Sequence, residues 1–196
     1  MEIVLARHGE TEWSRDLRHT GLTDTPLTER GREEARGLPS ALSEWSFTRV
    51  ITSPLERAID TAELAGLGER AERSDVLLEW DYGDYEGITT EEIRATRPGW
   101  SVWRDGCPGG ETAADVGARV DPLVGELKHS AGDVALFAHG HVLRVLAARW
   151  LGLAPEAGAL LALSTATLSA LGFERETAVI RRWNAPVPGP GAPAAA

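Results

Sequence analysis

Apolar residues fall along this chain in short unbroken runs, separated by longer stretches in which they recur every three or four positions. The runs at 3–6 and 134–138 are apolar on successive residues, which suits strands covered on both faces, as in a parallel sheet. Further strand-like runs lie at 49–52, 167–173 and 178–183. Between them, the spacing predicts helices over 28–42, capped by Thr28, and over 54–65, with Pro54 in its first turn. Two more are predicted over 111–128 and 141–151. Strand and helix alternate, so the expected class is α/β, with crossover helices on a mostly parallel central sheet. Residues 185–196 contain only Ala, Pro, Gly and Val. Such a segment cannot bury enough apolar surface to offset its ordering entropy and reads as a disordered tail. One domain over 1–184 remains.

Composition sharpens this picture in three ways. The 196 residues, 42% hydrophobic and 26% charged, suit one globular domain with a core. The formal net charge of −10 opposes general binding to nucleic acid or to an anionic membrane. Cys107 is the sole cysteine, so no internal disulfide and no cysteine-based metal cluster can form. No run approaches the roughly 18 apolar residues of a membrane span, and the N-terminal segment lacks the basic start of a signal peptide. Cytoplasm is the expected location.

The candidate chemistry sits where strands end. Val4-Leu5-Ala6-Arg7-His8-Gly9 and Leu136-Phe137-Ala138-His139-Gly140-His141 are both buried-strand patterns that finish in His-Gly. A third strand pattern, Val50-Ile51-Thr52, runs into Ser53-Pro54 and a helix with Arg57 in its first turn. Ligands in open α/β sheets bind at the carboxyl ends of strands. Three such ends would bring Arg7, His8, Arg57 and His139 together. An acidic protein that gathers cations there is suited to hold a small anion, with helix N-termini adding N–H donors. Paired guanidiniums match phosphoryl oxygens, and a neutral imidazole is a competent nucleophile toward phosphorus. The leaving oxygen then needs a proton. The segment 79–87 offers four carboxylates among three aromatics. Glu79, after an apolar run and before Trp80, is well placed to be desolvated. On the residues alone Asp81 stands level with it, and Glu86 is a reserve.

These residues carry a family resemblance. Arg7-His8-Gly9-Glu10-Thr11 resembles the phosphohistidine signature of the histidine phosphatase superfamily, which includes the cofactor-dependent phosphoglycerate mutases. The likeness continues in the family's order through residues 24–31, 53–58, 79–87 and His139-Gly140, covering nearly the whole domain. It implies a three-layer α/β/α fold of the phosphoglycerate mutase type. It implies His8 as the phosphorylated nucleophile, Arg7, Arg57 and His139 as the phosphate pocket, and Glu79 as proton donor and later base. No metal and no other cofactor is implied. The substrate would be a small phosphorylated metabolite, contacted also by Ser14, Thr20, Gly21, Trp80, Tyr82, Arg104 and Gly140. Ser14 and Thr20 depart from the Asn and Gln of many members. Residues 79–87 and 97–111 look most like a subgroup of actinobacterial acid phosphatases and sugar-bisphosphatases of the sedoheptulose-bisphosphatase type.

Other residues invite plainer readings. His141 is expected to be structural or to support the site, and His19 and His129 to be solvated. Arg18, Arg30, Arg32 and Arg36 are expected on solvated faces. Trp100 and Trp103 stand open between a packing stripe and a lid, with Arg104 touching a second phosphate or a carboxylate. Ala113 stands where a cysteine phosphatase loop beginning at Cys107 would need arginine, so Cys107 reads as structural. The expected reaction is phosphate monoester hydrolysis. A mutase is the first rival. Known mutases carry a longer insertion between the matching acid and second histidine, whereas only 60 residues separate Glu79 from His139. A metal hydrolase using His8, His139 and His141 is opposed by the charges of Arg7 and Arg57. An inactive module that senses a phosphorylated ligand would not need all of these groups. A homodimer stands open as the one further partner.

Overall fold

The computed structural model describes residues 1–187. Its strands are β1 (Ile3–Arg7), β2 (Phe47–Thr52), β3 (Ala71–Arg73), β4 (Asp133–Ala138), β5 (Leu168–Glu174) and β6 (Thr177–Ala185). Its helices are α1 (Glu12–Arg15), α2 (Glu29–Arg36), α3 (Leu38–Leu42), α4 (Glu56–Leu64), α5 (Thr90–Thr96), α6 (Val102–Asp105), α7 (Ala113–Leu127) and α8 (Gly140–Trp150). The strands form one sheet in the order β3-β2-β4-β1-β5-β6. The first four are parallel neighbours, and β5 and β6 add an antiparallel edge.

The unbroken apolar runs behave as two-sided burial requires. Ile3, Leu5, Ile51, Leu136 and Ala138 pack into one apolar cluster with α7 and α8. Val4, Ala6, Val50, Ala135 and Phe137 pack into a second with Ala35, Leu38, Leu42 and Ala62 of α2, α3 and α4. Successive residues of a strand therefore serve opposite faces, and the sheet is the middle of three layers. None of the helices among the described residues is long and apolar enough to cross a membrane.

The element bounds differ from the sequence pattern in places. The helix expected over 28–42 breaks at Gly37 into α2 and α3. Pro39 has no N–H to continue the ladder and is tolerated only in a first turn. Pro54 precedes α4 instead of lying inside it. The cap there comes from afar: Asp24 accepts from the Glu56 N–H at 2.9 Å. α7 starts at a capping box between Thr112 and Asp115. At the C-terminus, β6 extends through Ala185 and Val187 packs on the second cluster. The rest of the expected tail lies outside the described residues.

The register sets the site. Arg7 pairs with Ala138, and Thr52 with Phe137, so β1, β4 and β2 end together. The next residues stay tied in, with His8 N–H donating to Ala138 O at 3.0 Å and Ser53 N–H to Phe137 O at 2.9 Å. Leu136 sits fully buried on β4 between Leu5 and Ile51. Leu136→Ala is expected to lower the unfolding free energy by about 2–5 kcal/mol, read from urea denaturation curves.

Candidate active site

His8 leaves β1 with its ring almost buried. Its Nδ1 lies 2.7 Å from Gly9 O. A carbonyl only accepts, so the bond assigns the proton to Nδ1 and leaves the Nε2 lone pair free. Burial first, then the charges of Arg57 and Arg7, hold its pKa well below the ordinary histidine value. The ring is therefore neutral at pH 7. Position 9 must be glycine, since a Cβ there would stand 2.3 Å from Gly31 O.

Two guanidiniums flank this ring. Arg7 donates through one terminal nitrogen to Leu163 O, and its buried Nε has no hydrogen-bond partner. Arg57 is fully buried. It donates to Thr23 O at 2.9 Å, to Gly21 O at 2.8 Å and to Thr20 O at 3.3 Å. Its Nε donates to His139 Nδ1 at 3.0 Å. That bond fixes the His139 tautomer, because guanidinium can only donate. His139 Nε2 then carries the proton and donates to Ser53 Oγ at 2.7 Å. The two histidine rings lie 5.2 Å apart. Burial pulls both arginines below their ordinary value, with the Glu79 charge opposing the shift. Neither has a carboxylate oxygen within 4.0 Å among the described residues. One buried and one half-buried cation without a bonded counter-charge are costly in a fold unless an anion is meant to meet them.

Glu79 supplies the opposing chemistry. Its buried carboxyl accepts three backbone N–H groups at 2.9 Å, those of Trp80 and Val142 on Oε1 and of His141 on Oε2. Two of these belong to the first turn of α8, where the helix dipole favours negative charge. The segment carrying Glu79 is clamped by Arg119. This guanidinium pairs with both oxygens of Glu111 at 2.9 Å and donates to Val76 O and Leu78 O.

The model of the histidine phosphatase superfamily, branch 1, matches residues 3–186. The chain belongs to this superfamily. It is 44% identical over 193 residues to an acid phosphatase of Mycobacterium tuberculosis, covering 95% of each chain. It is 37% identical to sedoheptulose 1,7-bisphosphatase of Saccharomyces cerevisiae, covering 76% of this chain and 67% of that one. Among solved structures, the product of an open reading frame of Mycobacterium tuberculosis superposes with a TM-score of 0.90 at 41% identity, covering 94% of this chain and 97% of that one.

In this histidine phosphatase a cavity of about 1040 Å³ opens over the strand ends. Arg7, His8, Ser14, Thr20, Glu79, Tyr82 and Gly140 line it. Arg57 and His139 stand behind His8, out of the lining. Three expected substrate contacts do not reach the cavity. Trp80 is fully buried, with its indole N–H on Glu111 O. Gly21 serves Arg57 through its carbonyl and gives its N–H to Glu86. Arg104 is exposed and held by Asp105 and Gly99 O. The reserve acids are also occupied: Asp81 accepts from Gly83 N–H, and Glu86 from Gly21 and Thr23 N–H. The side chain of Ser14 is committed to the α1 capping box.

Further departures concern neighbouring residues. His19 is buried against Tyr82 at 4.7 Å and is not solvated, and burial lowers its pKa to about 4. Arg18 lines the cavity, whereas Arg30, Arg32 and Arg36 pair with surface carboxylates. Trp100 and Trp103 are packed residues and cavity walls at once, and Arg144 stacks 4.5 Å over Trp103. Burial pushes the Cys107 thiol up to about 12, as suits a structural cysteine. The Arg119–Glu111 clamp and Ser53 were not foreseen, since no local pattern marks a bond between a loop and a distant helix.

His8, His19, His139 and His141 all have lowered pKa values, with burial the first cause of each. The unfolded chain takes these protons near its ordinary value of about 6.5, and the folded chain resists them. Their neutral burial therefore costs nothing above that pH and destabilises progressively as pH falls below it. Urea midpoints are expected to drop between about pH 7 and pH 4.5, and His19→Gln is expected to flatten the slope by up to about 1.4 kcal/mol per pH unit.

Proposed function

We propose that this chain hydrolyses phosphate monoesters of small metabolites, sugar phosphates among them, through a phosphohistidine on His8. One observation carries the reading: a neutral imidazole with a free Nε2 lies beside two guanidiniums, Arg57 buried and Arg7 half-buried, that have no carboxylate partner. In the first step the Nε2 lone pair attacks phosphorus and the bond to the leaving oxygen breaks. Glu79 gives that oxygen a proton. In the second step water attacks phosphorus, its proton goes to Glu79, and the phosphorus–nitrogen bond breaks. Arg7 lines the cavity and offers its charge and its uncommitted N–H groups to the equatorial oxygens, and Arg57 adds its charge from outside the lining, so that developing charge meets a fixed positive field. His139 holds Arg57 in place from behind.

The hydrogen bonds of Glu79 support its part. A carboxylate has about four lone-pair sites. Oε1 already accepts two N–H groups and Oε2 one, so the remaining site for a proton is on Oε2. Metal independence belongs to the same reading, because both nitrogens of His139 are engaged by Arg57 and Ser53. So does a cytoplasmic setting, in which Cys107 stays reduced.

His8→Ala is expected to abolish phosphate release, and Arg7→Ala to lower kcat/KM by about 10²–10⁴. Retention of near-native activity by His8→Ala would remove the nucleophile. Chelators are expected to leave turnover unchanged and vanadate to inhibit it; loss in EDTA with rescue by zinc or manganese would favour a metal hydrolase.

Glu79→Gln is expected to harm substrates with poor leaving groups, such as sugar phosphates, far more than activated aryl phosphates. Equal losses on both would show that Glu79 is not the acid.

A further inference from the structure

Leu17 is placed against the usual rules for a leucine. α1 ends in a Schellman motif, with Arg18 N–H on Trp13 O at 2.9 Å and Leu17 N–H on Ser14 O at 3.4 Å. The residue at the turn must adopt a left-handed backbone, and Leu17 does so at φ 56°. Glycine normally fills this position, because a side chain there is strained. The Leu17 side chain gains nothing in packing to offset the strain, being 78% exposed. Folding therefore gives no reason for an apolar side chain at this turn. A strained residue of this kind points to a role outside folding.

Its position supplies the role. Leu17 lines the same cavity as His8, and its exposure puts it at the mouth. The cavity, at about 1040 Å³, is far larger than a phosphoryl group needs and lies at the upper end of small-molecule sites. Tyr82, Trp100 and Trp103 give it aromatic walls, in a lining that also holds Arg7, Arg18, Arg94 and Arg144. We infer that Leu17 and these aromatic residues form a leaving-group subsite, which selects phosphate monoesters of bulky alcohols with an apolar face. The inference rests on the phosphatase reading, with phosphorus over His8 and the alcohol directed toward the mouth. Leu17 is then buried by the substrate instead of by the protein.

The test compares 1-naphthyl phosphate with glycerol phosphate in the native protein, Leu17→Asn and Leu17→Gly. Both replacements tolerate the left-handed turn and remove the apolar surface. The ratio of kcat/KM for the naphthyl ester to that for the glycerol ester is expected to fall roughly five- to tenfold, the order expected for partial burial of one leucine. Leu17→Gly is expected to melt no lower than the native protein. An unchanged ratio, or a lower melting temperature in both variants, would overturn the subsite and assign Leu17 to packing. Calorimetric binding of 1-naphthylmethylphosphonate, which cannot be hydrolysed, is expected to weaken by the same factor, so the comparison does not depend on turnover. His8→Ala is assayed alongside. Turnover of both esters by that variant defeats the phosphohistidine reading, and the phosphonate affinities still decide the role of Leu17.

Discussion

Arg57 is a cation buried in the protein without a bonded carboxylate, and much of the site is arranged to hold it. Three main-chain carbonyls, of Thr20, Gly21 and Thr23, take its terminal N–H groups. Those carbonyls lie on one irregular loop, which would be free to move without a second restraint. Glu86 provides it by accepting the N–H groups of Gly21 and Thr23. Asp24, next along the loop, caps the helix that carries Arg57. The charge is thus solvated by oriented dipoles, with carboxylates one bond further away. This arrangement steadies the guanidinium without neutralising it, so its field stays available at the strand ends.

Glu79 obeys the mirror image of this logic. Its buried carboxyl is held by N–H groups and not by a cation. Arg119, which could have neutralised it, is instead spent on Glu111 and on the carbonyls around Glu79. Position is thereby supplied by one arginine, and the carboxyl is left without a bonded cation. The guanidinium of Arg57 and the carboxyl of Glu79 are thus each held by main-chain groups and neither is bonded to a partner of opposite charge.

The layered fold was readable because burial on both faces of β1 and β4 demands unbroken apolar runs, and their short length between helical patterns suits strands. The site was readable to the extent that it lies at strand ends: Arg7, His8 and His139 follow directly from where β1 and β4 stop. Legibility failed in the irregular segments. Around Trp80 no period governs side-chain direction, and α6, which carries Arg104, is only four residues long, so both could be ranked by chemistry but not aimed. His19 follows a left-handed turn that redirects the chain inward, and a polar residue two positions past a leucine carries no mark of that. The break at Gly37 was visible only through Pro39, whose effect depends on whether a new helix starts there.

His8 and His139, at two adjacent strand ends, are chemically alike and differ in which nitrogen bears hydrogen. Gly9 O claims the Nδ1 proton of one, and the Arg57 N–H claims the Nδ1 lone pair of the other. These bonds have opposite polarity, so His8 is left with an outward lone pair while His139 has its proton committed to Ser53. An electrophile in the cavity therefore meets the ring with the free lone pair, while the neighbouring ring, 5.2 Å away, is buried and has both nitrogens engaged. The difference between two identical side chains is set by two bonds of opposite polarity, one to a main-chain carbonyl just past β1 and one from a buried guanidinium.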